Sequence, residues 1–343
     1  MSVTKFGSHY LPTYVPELDG TVSEFYQKMY GQMEEMDRLG YDHIWVTEHH
    51  FAHYGGDLPH PPTFLSAIAR TTKQIRLGVA TSVLPLHNPI DLAESYAMVD
   101  VISNGRLDLG VGKGSVPPEY EKFGVDQSES TARMREGVEI MLQAWSDKPV
   151  NIKGQFHSYE NVSVYPKPVQ RPHPRIWSAC SRTEDSFRWA GENGFNLMTL
   201  PYLYRDPEAL PAMVKIYRDN LAKSRHAAAK TDSLGKFHIY VSSSLEKAIE
   251  EAAPYLEKYI DVQRADDKQQ VGGLMVLRDA RTQFAEGFVL AGDPQRVADL
   301  IRKWADPNGL TTISGTFHFG GMPQEMALKS IRLFAEKVIP QFR

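Results

Sequence analysis

Hydrophobic and polar positions along the chain repeatedly change period, from the alternation of strands to the three- and four-residue spacing of helices. Eight short runs rich in β-branched and aromatic residues lie at 4–8, 43–46, 75–81, 107–111, 175–179, 196–200, 237–242 and 312–317. Helical periodicity fills the intervals between these runs. This order predicts an α/β fold, a (β/α)8 TIM barrel with insertions, in preference to an open sheet.

The predicted helices each carry one apolar face. Met29, Met33 and Met36 recur at helical spacing in an early interval. Near the other end of the chain, Asp293 can cap a helix whose first position is Pro294. We therefore expect amphipathic helices that cover the outside of the strands.

Two segments interrupt the alternation. Residues 149–174 are rich in Pro, Val and Tyr and predict an extended excursion or hairpin on the flank of the barrel. Residues 259–283 begin with polar positions and show no clear period, which predicts a mobile loop before the last strand. No linker or internal repeat divides the chain, so we expect residues 1–343 to form one domain.

Composition excludes several classes of function. The net charge of -4 gives no field that would attract nucleic acid or an anionic membrane surface. The single cysteine, Cys180, rules out an internal disulfide and a cysteine-based zinc cluster. No apolar run reaches the length of a membrane span, and the first residues enter a strand-like segment without a signal-peptide pattern. We expect a cytoplasmic enzyme that binds neither nucleic acid nor membrane.

Histidines follow several of the predicted strands. The residues just after the strands of such a barrel share one rim, and His49 and His50 follow the second strand beside Glu48. Imidazole exchanges protons near neutral pH, so His49 and Glu48 are candidates for acid–base catalysis. A histidine that only forms hydrogen bonds in its loop is the alternative. A metal site built from His9, His49, His50 and His318 is a weaker one, and we predict no metal.

A second set of residues suits an anion. Gly112, Lys113 and Gly114 form a turn after the fourth strand, Arg133 follows, and Ser181, Arg182 and Thr183 open the helix after the fifth strand. Glycines let backbone N–H groups approach an anion, and the cations neutralise it. Each element alone could be a solvated turn, but together they favour phosphate. Neither a triphosphate-binding loop nor a dinucleotide-binding glycine motif is present.

The sequence resembles the bacterial luciferase-like flavin monooxygenases over nearly its whole length. The motifs that carry the resemblance appear in the order of that family, at 39–42 (LGYD), 45–51 (WVTEHHF), 75–78 (IRLG), 84–89 (LPLHNP), 103–107 (SNGRL), 110–114 (GVGKG), 123–126 (FGVD) and 334–340 (FAEKVIP). Each motif is modest alone, and their combination is specific.

The resemblance implies an enzyme that uses reduced FMN and oxygen to oxidise a small organic substrate, with a separate flavin reductase as partner and a homodimeric assembly. His49 matches the active-site histidine of the family, proposed to act as a base. Ala80 and Thr81 match the strand end beneath the flavin, where a cis peptide is common. The positions matching those near the FMN phosphate are Lys113, Arg133, Ser181 and Thr183.

Two positions depart from the luciferases proper. Gly112 stands where they carry a reactive cysteine, which implies more room over the flavin, and Lys113 replaces an arginine. Light emission is therefore not expected. We predict an aldehyde or ketone as substrate, in an apolar pocket walled by Tyr10, Phe51 and Tyr54. The alternatives are a deazaflavin-dependent dehydrogenase or reductase, a flavin-binding protein without turnover, and a metal-dependent hydrolase.

Overall fold

The structure, a computed structural model, describes residues 3–51, 55–204, 209–267 and 279–343. Its strands are β1 (Lys5–Tyr10), β2 (His43–Val46), β3 (Arg76–Val83), β4 (Leu107–Gly112), β5 (Val150–Lys153), β6 (Ser158–Val162), β7 (Arg175–Ala179), β8 (Asn196–Thr199), β9 (Ser233–Val241), β10 (Val289–Gly292) and β11 (Thr312–Thr316). Eight of them close into a parallel barrel in the order β1-β2-β3-β4-β7-β8-β9-β11. The predicted (β/α)8 TIM barrel is confirmed.

The helices surround this barrel. They are α1 (Pro16–Asp19), α2 (Val22–Arg38), α3 (Pro61–Thr71), α4 (Pro89–Ile102), α5 (Pro117–Phe123), α6 (Ser130–Trp145), α7 (Glu184–Glu192), α8 (Ala209–Lys223), α9 (Leu245–Asp267), α10 (Ala280–Glu286), α11 (Pro294–Asn308) and α12 (Gln324–Leu333). Met29, Met33 and Met36 are buried on one face of α2, as predicted. The carboxylate of Asp293 accepts the backbone N–H groups of the first turn of α11, which confirms the predicted cap.

Alternation along the strands separates an inner from an outer core. Trp45, Trp177, Met198 and Leu234 pack together inside the barrel, and Ala80 packs against them. Residues of the opposite parity, such as Phe6 of β1, join the much larger cluster between the barrel and its helices. A residue that lies an even number of positions from Trp45 on β2, or from Leu234 on β9, therefore faces the barrel interior.

The eight predicted strands are all present, with ends that differ by a few residues. The largest difference is in β9, which begins at Ser233 and not at residue 237. The strands β5 and β6 form an antiparallel hairpin within 149–174, as expected for that segment. The short strand β10 was not predicted. It pairs with the last residues of β9, beyond the stretch of β9 that pairs with β8.

The expectation of a loop over 259–283 was wrong at both ends. Helix α9 continues to Asp267, and α10 occupies Ala280–Glu286. Helical periodicity was obscured at the first end because polar residues dominate it. Residues 268–278 lie outside the described part of the chain.

Across the described ranges, no helix combines the length and the apolar character needed to cross a membrane.

Candidate active site

The ends of β3 and β4 pack closely at the mouth of the barrel. The peptide bond between Ala80 and Thr81 is cis, as the resemblance implies. A Cβ atom added at Gly112 would lie 2.2 Å from Thr81 Oγ1, so any side chain there would force Thr81 to move. We expected extra room at Gly112 because a cysteine is missing. That expectation was wrong, since the side chain of Thr81 occupies the space.

His49 follows β2 and contacts a carboxylate on α5. The distance from His49 Nδ1 to Glu119 Oε1 is 3.2 Å, and the same oxygen accepts the backbone N–H of His50 at 2.8 Å. The side chain of Glu119 is 1% exposed and that of His49 is 23% exposed. An ionised carboxylate only accepts hydrogen bonds, so this contact places the ring hydrogen on Nδ1 and the lone pair on Nε2.

Glu48 is buried beneath this pair with both of its oxygens engaged. Oε1 lies 2.6 Å from His87 Nε2 and 3.2 Å from His50 Nε2, while Oε2 accepts the Val83 N–H at 3.1 Å and the Ser82 hydroxyl at 3.3 Å. Burial alone would raise the pKa of Glu48, but the hydrogen bonds from His50 and His87 lower it to about 2. These contacts favour a structural role for Glu48 over the predicted proton transfer.

The four histidines considered for a metal do not gather. His318 uses both ring nitrogens, since Nε2–H donates to the carbonyl of Met322 at 2.5 Å and Nδ1 lies 3.0 Å from Gln32 Nε2 on α2. His50 points towards Glu48. Among the described residues, the histidines and acids with metal-ligand spacing are Glu48, His50 and His87, a group that the sequence did not suggest.

The residues expected to bind phosphate lie on neighbouring strand ends. Lys113 is exposed directly after β4, and Ser181, Arg182 and Thr183 connect β7, the next strand of the barrel, to α7. Thr183 occupies the N-cap of α7 without a capping hydrogen bond from its side chain. These residues provide cationic and hydroxyl groups near a helix N-terminus.

Arg133, also expected near the phosphate, lies on α6. Its guanidinium pairs with Glu129 at 2.8 Å and stacks on Phe156, with 4.2 Å between the guanidinium carbon and the ring centroid. An ion pair between Arg135 and Asp185 joins α6 to the first turn of α7. The side chain of Arg133 is therefore already held by an acid and an aromatic ring.

The expected pocket walls are only partly described. Phe51 is 58% exposed and lies beside Phe123, with 5.3 Å between the ring centroids. The hydroxyl of Tyr10 lies 3.7 Å from Met36 Sδ, so this ring belongs to the core between β1 and α2. Tyr54 lies outside the described residues. A cavity between the loops after β1 and β11 is bordered by Tyr10, Tyr259 and Phe319.

Sequence reasoning missed Glu119 and the buried Lys236 of β9. Pro117 and Pro118 signal a helix start that would have placed Glu119 in its first turn. Lys236 directly precedes the predicted run 237–242, and strands rarely carry a lysine on a buried face. No pattern along the chain linked Glu119 to His49 or pointed to Lys236.

The barrel and its mouth define a class of protein, a (β/α)8 barrel with a candidate base and a candidate anion-binding rim at the C-terminal ends of its strands. The model of the luciferase-like monooxygenase family matches residues 7–310. The chain belongs to that family.

Known relatives include monooxygenases and a dehydrogenase. The structure of the monooxygenase RslO1 from Streptomyces bottropensis has a TM-score of 0.89 and 32% identity, covering 99% of this chain and 100% of that one. The oxygenase component of flavin-dependent trigonelline monooxygenase from Acinetobacter baylyi is 35% identical over 55% of this chain and 52% of its own length. F420-dependent glucose-6-phosphate dehydrogenase from Amycolatopsis mediterranei is 26% identical over 90% and 92%.

Coverage of the curated relatives is uneven. This chain matches two curated relatives at 35% identity and spans 65% of the length of one and 52% of the length of the other.

Proposed function

We propose that this protein is the oxygenase of a two-component system, taking reduced FMN from a separate flavin reductase. One atom of oxygen would enter a small aldehyde or ketone and the other would leave as water. The observation that carries the proposal is His49, held by the buried Glu119 at the mouth of a luciferase-like barrel. Bound reduced FMN would supply the electrons that activate oxygen.

The residues present fit a flavin phosphate by the chemistry of their donors. Lys113 offers an exposed ammonium group, and Ser181 and Thr183 offer hydroxyls beside the N-terminus of the nine-residue helix α7. Ala80 and Thr81 would hold the ring end, on the strand that precedes β4 in the barrel. We propose that these residues bind and orient FMN, with Gly112 allowing Thr81 its position.

His49 is proposed to accept a proton from the substrate side. Its Nδ1–H donates to Glu119, so the basic lone pair lies on Nε2. The buried carboxylate keeps the ring in this orientation and stabilises the imidazolium that forms when Nε2 takes the proton. Surrounding apolar residues would exclude water from the reacting atoms.

The test compares oxygen consumption by wild type, His49→Ala and the control His226→Ala, which alters a histidine in the loop before β9, at the opposite end of the barrel. Each protein is mixed with FMN, NADH and a generic flavin reductase, with and without a medium-chain aldehyde. Wild type and control should change the rate at which reduced FMN is oxidised and form product, whereas His49→Ala should lose product formation by about 100-fold. Full product formation by His49→Ala would refute the role of His49.

The F420-dependent relative supports a second candidate, a deazaflavin-dependent oxidoreductase on the same barrel. Such an enzyme would transfer hydride and be indifferent to oxygen. Titration with FMN and with F420, followed by absorbance, separates the two. If the protein binds F420 and leaves the oxidation of reduced FMN unchanged, the second candidate replaces the first. Tight FMN binding without any oxygen chemistry would indicate a non-catalytic flavin-binding protein.

We also propose that the protein is a homodimer, as the resemblance implies.

A further inference from the structure

A lysine is buried inside the barrel, opposite the strand end expected to hold the flavin. Lys236 on β9 is 5% exposed. It lies two residues after Leu234, which packs on Trp45 and Trp177 in the barrel interior, so alternation directs Lys236 to the same interior. Its register partner on β11 is Ser314.

The described residues provide no charge of opposite sign for this ammonium group. Among the described residues, burial is the only influence on the pKa of Lys236, which it lowers to about 8, and no carboxylate there pairs with it. A buried ammonium group without an anion is costly and is rarely kept unless it has a function.

Two histidines lie near the lysine, one on β9 itself and one on β1, which is separated from β9 by β11. His238 lies two residues after Lys236 on β9 and is the register partner of Thr316. His9 of β1 is the register partner of Trp45, so both histidines face the barrel interior. Burial, followed by the charge of Lys236, lowers the pKa of each histidine well below its ordinary value, which places all three groups within electrostatic reach of one another.

Several of these donors have no partner in the described part of the chain. His238 Nε2, Ser314 Oγ and Thr316 Oγ1 are buried without a hydrogen bond there. Native proteins rarely leave such groups unsatisfied. An ammonium group, an imidazole and two hydroxyls that face one space are complementary to an anionic oxygen pair.

The position of these groups favours the substrate over the cofactor as their ligand. In the closed barrel, β9 lies four strands away from β3, which carries Ala80 and Thr81, so the two strands face each other across the interior. Lys113 and Ser181, the expected phosphate ligands, follow β4 and β7, on the other side of the ring. A molecule between the flavin strand and β9 would reach Lys236 from the substrate side.

We propose that the substrate carries a carboxylate, which binds Lys236 between His9 and His238, with Ser314 and Thr316 as further donors. This inference rests on the proposed function, because it assumes that the barrel interior holds the substrate. The carboxylate subsite narrows the substrate class from any small aldehyde or ketone to one bearing an acid group. The carboxylate anchors the substrate and takes no part in the redox step.

The experiment measures ligand binding to the full chain, with and without oxidised FMN, by calorimetry and ligand-observed NMR. The probes are a panel of aromatic and aliphatic carboxylates, each matched with its neutral primary amide. Wild type should bind members of the acid series at least tenfold more tightly than their amides. Lys236→Met should abolish that preference, whereas Lys329→Met, which removes a lysine whose side chain is 60% exposed, should keep it.

Three results would overturn the subsite: acids and amides binding alike, no member of the panel binding, or an acid preference that survives in Lys236→Met. Methionine suits a buried position, so this variant should unfold at no lower temperature than wild type. Thr316→Val provides a second, nearly isosteric test and should weaken acid binding about three- to tenfold. Oxidation of reduced FMN without substrate, measured for wild type and for Lys329→Met, tests the proposed function separately, so failure of the subsite is separable from failure of the proposed function.

Discussion

At the scale of single residues, the carboxylate of Glu119 contacts the imidazole of His49. One oxygen of Glu119 contacts both His49 Nδ1 and the backbone N–H of His50. The other oxygen is buried and has no hydrogen-bond partner among the described residues. Burying a carboxylate with an unpartnered oxygen costs free energy, so other interactions must offset that cost. The imidazolium that would form during catalysis is one such interaction.

We expect Glu119→Gln to lower kcat about 10- to 100-fold and to leave FMN binding within about twofold. The amide oxygen can still accept from His50, so the substitution removes the charge and keeps the shape. Glu119→Asp, which retains the charge on a shorter side chain, should recover part of kcat. Stopped-flow oxidation of reduced FMN and steady-state product formation measure the two effects. Equal losses in Glu119→Gln and Glu119→Asp would indicate a structural role only.

The group formed by Glu48, His50 and His87 predicts a pH dependence of stability. The lowered pKa of Glu48 means that its contribution is present above its ordinary pKa and is lost as the pH falls towards 2. Burial alone would lower the pKa of His87, but Glu48 outweighs burial and raises it. The His87 contribution is therefore present below its ordinary pKa and is lost as the pH rises through the raised value.

Both contributions coincide between about pH 5 and 6, so Glu48→Gln should cost the most there, roughly 3 kcal/mol of unfolding free energy. The cost should be smaller at a pH above the raised pKa of His87, where its imidazole has lost the proton. Urea denaturation of wild type and variant at the two pH values measures this difference. A cost that does not change with pH would show that the Glu48–His87 contact is not electrostatic.

At the scale of secondary-structure elements, β3 and β4 contact each other at the end of the site that we propose holds the cofactor. The register of the two strands shifts between Val79 and Ser82, around the cis peptide bond. The side chain of Thr81 then enters the space next to Gly112. A residue with a side chain at position 112 requires a different neighbour at position 81.

Gly112→Ala should lower the unfolding free energy by roughly 1–3 kcal/mol and weaken FMN binding, because its Cβ would collide with a β-branched side chain. Thr81→Ala in the same chain should restore most of the stability, since it removes the atom at 2.2 Å. Thermal unfolding and FMN titration of the two single variants and the double variant measure this coupling. Additive effects of the two substitutions would contradict the contact.

At the scale of the whole molecule, one apolar surface lies on the side of the barrel. Met98 and Val101 on α4 are 51% and 44% exposed, and Val169 is 48% exposed. The backbone N–H of Gln170, next to Val169, donates to Asp100 of α4 at 2.9 Å, so the three apolar residues belong to one region. We place the contact of the proposed homodimer here, because half-exposed apolar side chains on one helix are stabilised by a partner.

Replacing Met98 and Val101 by Glu should convert the dimer to a monomer, because a buried interface cannot hold unpaired carboxylates. Light scattering coupled to size-exclusion chromatography measures the mass. Val22→Glu, at a residue on α2 that is 55% exposed, is the matched control and should leave the mass unchanged. A dimer that persists in the double variant would move the interface elsewhere.

The parts of the molecule that could be predicted are those with a local signal. The barrel strands were found because buried parallel strands are continuous apolar runs, and His49 because it follows such a run. Strand β10 was missed because four residues show little periodicity. The end of α9 was missed because polar residues dominate it. The organisation as a single domain and the assignment of residues to FMN binding stay predictions.

Sequence alone determined the barrel, the helices that cover it and the placement of His49, Lys113 and Ser181 at one rim, because period and strand order are encoded locally. Only the tertiary structure decided which side chains meet. Glu119 contacts His49 across 70 positions of the chain. Lys236, His9 and Ser314 lie near one another although they belong to three different strands. Such contacts depend on how the barrel closes, and no local pattern along the chain records them.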